Sequence, residues 1–273
     1  MQMGADFVLL IACEDRKGIV AAVANSIASQ DCNIVESSQY GDKNTGRFFM
    51  RVAISCTANT TSESFSAAFM SVAAAFQLDW QIHDLRKKLR AMIMVSQGGH
   101  CLNDLLYRTS TSRLPMDVTS IVSNHVNWQR RAEHEGIPFH HLPITPETKL
   151  DQEAKLLAMV EEQKVDLIIL ARYMQVLDEE LCRNFAGKII NIHHSFLPSF
   201  AGAKPYHQAH RRGVKLIGAT CHFVTPDLDE GPIVEQDVIR IDHSDTPEDM
   251  AHLGKDIEKV VLARGLRAVV EDR

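Results

Sequence analysis

Lys188 to Pro198 reads KIINIHHSFLP. A short apolar run, Lys188-Ile189-Ile190, gives way abruptly to Asn191, His193 and His194 and then to Leu197-Pro198. Such a run has the profile of a buried strand that delivers polar residues just past its C-terminal end. Open α/β sheets build their sites in this way. Asn191 supplies amide donors, and His193 a group that exchanges a proton near neutral pH. Asp229, in the later stretch Leu228–Pro232 (LDEGP), adds a fixed charge able to hold a histidine. An amide, an imidazole and a carboxylate suit attack on a carbonyl and are poorly suited to hydride transfer.

Working outward, apolar runs alternate with helical patterns from Arg90 onward. Ala91–Val95 is expected as a strand, followed by a Gly-Gly turn and a helix from about Leu102. Further strands are expected at Val118–Val122, Phe139–Pro143 and Val165–Ala171, with helices around Trp128–Glu135, Lys149–Gln163 and Asp178–Asn184. Strand-then-helix alternation predicts a Rossmann-like, mostly parallel, doubly wound sheet. A last helix should start at Thr246-Pro247-Glu248-Asp249, with Thr as N-cap and Pro at the first helical position.

Residues 6–84 have a different rhythm, βαββαβ. Phe7–Ile11, Ile34–Tyr40, Phe48–Ile54 and Leu78–Asp84 read as strands. Ile19, Val23 and Ile27 mark one helix, and Phe65, Phe69, Val72 and Phe76 another. Two helices on one face of a four-stranded antiparallel sheet form a ferredoxin-like module. The charged run Asp84–Lys88 suggests a boundary, giving a first domain over 1–84, a linker over 85–90 and a second domain over 91–273.

The chain has 273 residues, 45% of them apolar, and a net charge of −6 with no basic block. Neither a nucleic-acid partner nor a membrane span is expected. Asp6 precedes the apolar Phe7–Cys13 and no basic segment does, so a cytoplasmic protein without a signal peptide is expected. Six scattered cysteines without a CxxC pair are expected to be reduced thiols. Thirteen histidines invite a metal reading. The absence of HExxH or zinc-like spacing argues for no metal. Val95–Asn103 (VSQGGHCLN) occupies the place of a phosphate loop, but His100, Cys101 and Leu102 stand where small residues should let a backbone approach phosphate.

Two stretches carry a resemblance. NIHHSFLPSFAGAKP (191–205) and GATCHFVTPDLDEGPI (218–233) are similar to the formyltransferases that use 10-formyltetrahydrofolate. His194 stands where most transferases have Pro. That double His, together with DRKGIVAAVANSIA, GRFFMRV, GHCLNDLL and ILARYMQVL, resembles the formyltetrahydrofolate deformylases, over nearly the whole chain. The resemblance implies an ACT-type regulatory domain before a formyltransferase-fold domain, and hydrolysis of the formyl group to formate and tetrahydrofolate without a cofactor. It implies Asn191, His193 and Asp229 as catalytic residues. Folate contacts would come from His194, Met174, Gln175, Leu177, Thr225 and Leu228. An amino-acid effector, methionine or glycine, would sit at Asp15, Gly18 and Ile19 with Asn33 and Ile34, in a homo-oligomer. The family usually runs on past Glu271-Asp272-Arg273 for a short last strand. Transfer to an amine acceptor and a non-catalytic sensor role are the alternatives. The residues alone leave open whether His193 or Asp229 activates water.

Overall fold

The computed structural model describes residues 4–145, 147–198 and 205–273. Its chain forms two compact units, one running to Lys88 and taking in Glu271–Arg273, the other spanning Leu89–Val270. The part of the 191–205 stretch over residues 199–204 lies outside the described residues.

The first unit contains β1 (Phe7–Glu14), α1 (Ile19–Ala28), β2 (Asn33–Asp42), β3 (Arg47–Ser55), α2 (Ser62–Phe76) and β4 (Asp79–Asp84). All pairings in its sheet, ordered β2-β3-β1-β4, are antiparallel. Phe7, Leu9, Ile11 and Cys13 alternate onto one face, where Val23 and Ile27 of α1 and Phe65 and Phe69 of α2 cover them. Period-two strands and 3.6-period helices thus bury one shared layer. Thr61 caps α2 by accepting the Ser64 N–H.

Three expectations are corrected here. Cys32 and Cys56 are joined by a disulfide rather than free. They flank the paired residues Asn33 and Ser55, so sheet register brings together two cysteines that look scattered in sequence. Leu89 and Arg90, expected in a linker, already belong to the next strand. The last three residues group with the first unit because the Arg51 guanidinium donates to the backbone carbonyls of Glu271 and Asp272, each at 2.7 Å.

The second unit runs β5 (Leu89–Val95), α3 (His100–Ser110), β6 (Met116–Ser123), α4 (Gln129–His134), β7 (Phe139–His141), α5 (Lys149–Glu162), β8 (Leu167–Leu170), α6 (Glu179–Asn184), β9 (Ile189–His193), α7 (Pro205–Arg212), β10 (Leu216–Phe223), β11 (Ile233–Arg240) and α8 (Pro247–Val270). The sheet order is β11-β10-β9-β8-β5-β6-β7. Strands β9, β8, β5, β6 and β7 are parallel, while β10 and β11 turn antiparallel at one edge. Strand β5 is buried on both faces. Ala91, Ile93 and Val95 meet α3 and α8, while Met92 and Met94 meet α5. The sheet is therefore mixed and covered by helices on both sides, as buried parallel strands require.

After β7 the chain returns to the far side of β5, so the order switches between β5 and β8. The segments leaving these two strands meet there, the Ser96 N–H donating to the Arg172 carbonyl at 3.1 Å. This switch point is where open sheets present ligand sites. Helix α8 is capped reciprocally by Thr246 and Asp249.

Candidate active site

Asn191 and His193 lie within β9 rather than beyond it, because the antiparallel neighbour β10 extends its pairing to the end of the strand. Asn191 sits directly opposite His222, and His193 opposite Thr220. The Asn191 Nδ2 is 3.2 Å from the His222 Nε2. His222 Nδ1 donates to the Phe223 carbonyl at 2.9 Å, which leaves Nε2 as the acceptor for the Asn191 amide. Burial lowers the His222 pKa, favouring this neutral form.

Asp229 arrives from the loop between β10 and β11. Its backbone is left-handed, φ 60°, and Gly231 follows closely. A Cβ on Gly231 would lie 1.8 Å from the Phe223 carbonyl oxygen, so only glycine lets this loop lie against β10. The Asp229 Oδ1 is 3.2 Å from His193 Nδ1 and 3.7 Å from His222 Nε2. The hydrogen bond with His193 holds the Asp229 carboxyl below its ordinary range. His193 is buried, and its Nε2 has no hydrogen-bond partner among the described residues. With Nδ1–H directed at Asp229, that Nε2 carries a lone pair.

The segment after β9 is clamped from below. Thr220 Oγ1 donates to the Ser195 carbonyl and accepts from the Leu197 N–H, while the Gln236 amide donates to both Thr220 and the Leu197 carbonyl. These bonds fix the chain that carries His193 and His194. Burial, with the Arg172 charge nearby, brings the His194 imidazole down to about 4, so it is neutral at pH 7.

Two concavities flank this group. Asn191, His222 and Asp229 line a cleft of about 60 Å³ together with Gln175, Leu177, Thr225 and Leu228. A second cavity of about 550 Å³ is lined by His194 and Met174, with Gln175 again in its wall. Met174 and His194 are thus separated from the other expected folate contacts. The effector residues are divided too. Asp15, Gly18 and Ile19 follow the end of β1, whereas Asn33 pairs with Ser55 near its beginning. The Ile19 side chain is buried in the core.

Sequence reasoning missed His222, Arg172, Tyr206 and Glu258. His222 had a signal, since it stands among apolar strand residues two positions after the polar Thr220, on the same face. Glu258 had none. In the helical pattern Ile257-Glu258-Lys259 it reads as a solvent-facing charge, yet it is 1% exposed. A His100 nitrogen, the Cys101 sulfur and a Glu258 oxygen lie within 4.8 Å of one another. The Glu258 carboxylate in this cluster is already engaged by His100, Arg172 and the Tyr206 hydroxyl.

Residues 89–266, which include the mixed sheet with Asn191, His193 and Asp229, match the family described as Formyl transferase. The formyltetrahydrofolate deformylase of Corynebacterium sp. (strain P-1) is 45% identical over 97% of this chain and 93% of its own. The crystal structure of a formyltetrahydrofolate deformylase from Pseudomonas syringae pv. tomato is 49% identical, with TM-score 0.94 over 99% of this chain and 91% of that one. Phosphoribosylglycinamide formyltransferase from Anaplasma phagocytophilum is similar over 68% of this chain and 89% of its own, at 34% identity and TM-score 0.62. The chain belongs to the formyltetrahydrofolate deformylase family, hydrolases built on the formyl transferase fold.

Proposed function

We propose that this chain hydrolyses 10-formyltetrahydrofolate to formate and tetrahydrofolate through Asn191, His193 and Asp229. The observation that carries the reading is the His193 imidazole, tied to Asp229 through Nδ1, with its buried Nε2 unpartnered among the described residues and Asn191 two positions earlier on the same strand. The N10-formyl group is an activated amide, since its nitrogen lone pair is shared with the aryl ring. His193 Nε2 takes a proton from water as the oxygen attacks the formyl carbon. The Asn191 amide, oriented by His222, donates its remaining N–H to the developing oxyanion. The imidazolium, stabilised by Asp229, returns the proton to N10 as the C–N bond breaks. Formic acid and tetrahydrofolate leave, the acid losing its proton to solvent as formate, and His193 is neutral again.

The folate ring enters between the segment 174–177 and the loop 225–229. Gln175, Leu177, Thr225 and Leu228 contact it, and His194 and Met174 face the neighbouring cavity. The cleft is well below the usual size of ligand sites. Leu228, 65% exposed, is among the residues lining it. Transfer to an amine is the second reading, favoured by the likeness to the transferase. Incubation with 10-formyltetrahydrofolate in buffer alone decides between them. Formate should appear with no amine present, and a strict requirement for an amine would overturn the hydrolase reading.

The first unit fits an ACT-type, ferredoxin-like regulatory module, in keeping with its element order and its sheet order β2-β3-β1-β4. Because Asp15, Gly18 and Ile19 stand at the other end of the sheet from Asn33 and Ile34, one effector touches both groups only when two copies pair. A homo-oligomer binding methionine or glycine at such a junction is the corresponding proposal. Calorimetry showing no binding of either at millimolar concentration would refute it.

A further inference from the structure

Residues 171–178 connect β8 to α6 without a helix or strand of their own, and Gln175, Val176 and Leu177 form one wall of the cleft that holds Asn191 and Asp229. Two consecutive residues of α5 hold this segment at its ends. The Gln152 Nε2 donates to the Tyr173 hydroxyl at 3.0 Å, and the Asp178 N–H donates to the Glu153 Oε1 at 3.1 Å. Gln152, Glu153 and Tyr173 are all buried. Neighbouring residues on a helix point about 100° apart, so the pair reaches two ends of a bridging segment rather than one point. Between those ends Met174 and Val176 are exposed, while Leu177 packs on the core that Leu156 and Leu181 share.

A carboxyl is a costly anchor in such a place. As a carboxylate it would leave Oε2 without a donor, since no described residue supplies one. The groups around it are Lys149, whose Nζ lies 3.9 Å from Oε1, and the Asp178 carboxyl, which caps α6 by accepting the Leu181 N–H at 2.7 Å. The Tyr173 hydroxyl and the Cys182 thiol also feel its charge. Burial, and then the Asp178 carboxyl, push Glu153 up to about 7. Below that pH Glu153 keeps its proton and shares it in a hydrogen bond with the Asp178 carboxylate.

We propose that Glu153 is a positioning residue for the cleft, acting through Asp178 to fix where Gln175 and Leu177 meet the folate. The inference rests on the hydrolase reading above, in which that wall holds the ring. Glu153 itself touches neither the substrate nor the reacting atoms. Protonated, it grips Asp178 by two contacts, one to the backbone and one to the side chain. Ionised, it faces a second carboxylate with Lys149 as the nearby cation, and the wall loosens as pH rises through about 7.

The test compares Glu153→Gln and Glu153→Ala with wild type in formate release from 10-formyltetrahydrofolate, from about pH 6 to about pH 8. Hydrogen–deuterium exchange of the peptide over 171–181 is followed alongside. Gln accepts the Asp178 N–H and donates to the Asp178 carboxylate at every pH, so Glu153→Gln should hold its low-pH KM throughout while that of wild type rises several-fold. Glu153→Ala should raise KM at about pH 6 by about ten-fold with kcat nearly unchanged, the worth of one buried hydrogen bond, and should quicken exchange. A merely structural Glu153 would lower the melting temperature and leave KM and its pH profile alone. A folded Glu153→Ala enzyme with the KM of wild type overturns the proposal. If that variant does not fold, identical pH profiles for Glu153→Gln and wild type overturn it. Exchange needs neither ligand nor turnover. Absence of formate from wild type therefore marks failure of the hydrolase reading, whereas unchanged exchange in Glu153→Ala marks failure of the anchor.

Discussion

Replacing Asp229 by Asn tests the proposed chemistry most directly. Asn tolerates a left-handed backbone better than other side chains, so the φ of 60° should survive and the protein should fold. What changes is charge and proton direction. At 3.2 Å and an effective dielectric of about 20, a carboxylate stabilises the His193 imidazolium by about 5 kcal/mol. Asp229 is 15% exposed, and screening at that edge reduces the figure. A loss of about 3–5 kcal/mol corresponds to about 10²–10⁴ in rate. The amide also donates where the carboxylate accepts. It pushes the His193 proton to Nε2 and removes the lone pair that water needs, an effect of about 10⁴ in serine-protease triads. Single-turnover formate release from pre-bound 10-formyltetrahydrofolate, read together with folate affinity, isolates the chemical step. A folded Asp229→Asn enzyme within ten-fold of wild type would refute the reasoning, because neither charge nor tautomer would then matter.

Asn191→Ala should reduce turnover by about 10²–10³ with folate affinity nearly intact, as for loss of one oxyanion donor; a rate within a few-fold removes Asn191 from the mechanism. Gly231→Ala forces its Cβ into the Phe223 carbonyl and should cost about 1–3 kcal/mol in denaturant unfolding while lowering activity, because the loop that moves carries Asp229. His194 has a native value of about 4 against about 6.5 unfolded, so the stability gained by keeping it neutral is complete above about pH 6.5 and is lost as pH falls toward about 4. His194→Gln should therefore flatten the loss of stability between these limits, by up to roughly 3 kcal/mol, in chemical denaturation at pH 7.5 and pH 4.5.

The parts of the site that were legible in the sequence share a local signal. Asn191 and His193 interrupt an apolar run, and Asp229 stands in a Gly-Pro turn. The direction of β10 was not legible, because alternation is the same for parallel and antiparallel neighbours. With it went the facing of His222 and Asn191, which is a consequence of register. The disulfide escaped for the same reason, since Cys32 and Cys56 meet only through the β2–β3 pairing. The long helix was anticipated from its Thr246-Pro247 start and the apolar positions that follow. Its buried Glu258 was not, because a charge at a helical surface position is indistinguishable from a solvated one until α8 meets the α3 and β8 ends. Met174, a folate contact that the resemblance implies, stands 56% exposed and lines the other cavity.

The proposed catalytic group is anchored unequally. Asn191, His193 and His222 ride on hydrogen-bonded strands, whereas Asp229 hangs on the loop that also carries Leu228, its immediate neighbour. Under the mechanism proposed above, if that backbone moves to draw Leu228 aside for a substrate, the Asp229 carboxylate leaves His193 with it, and the imidazole regains its charged partner only when the loop returns.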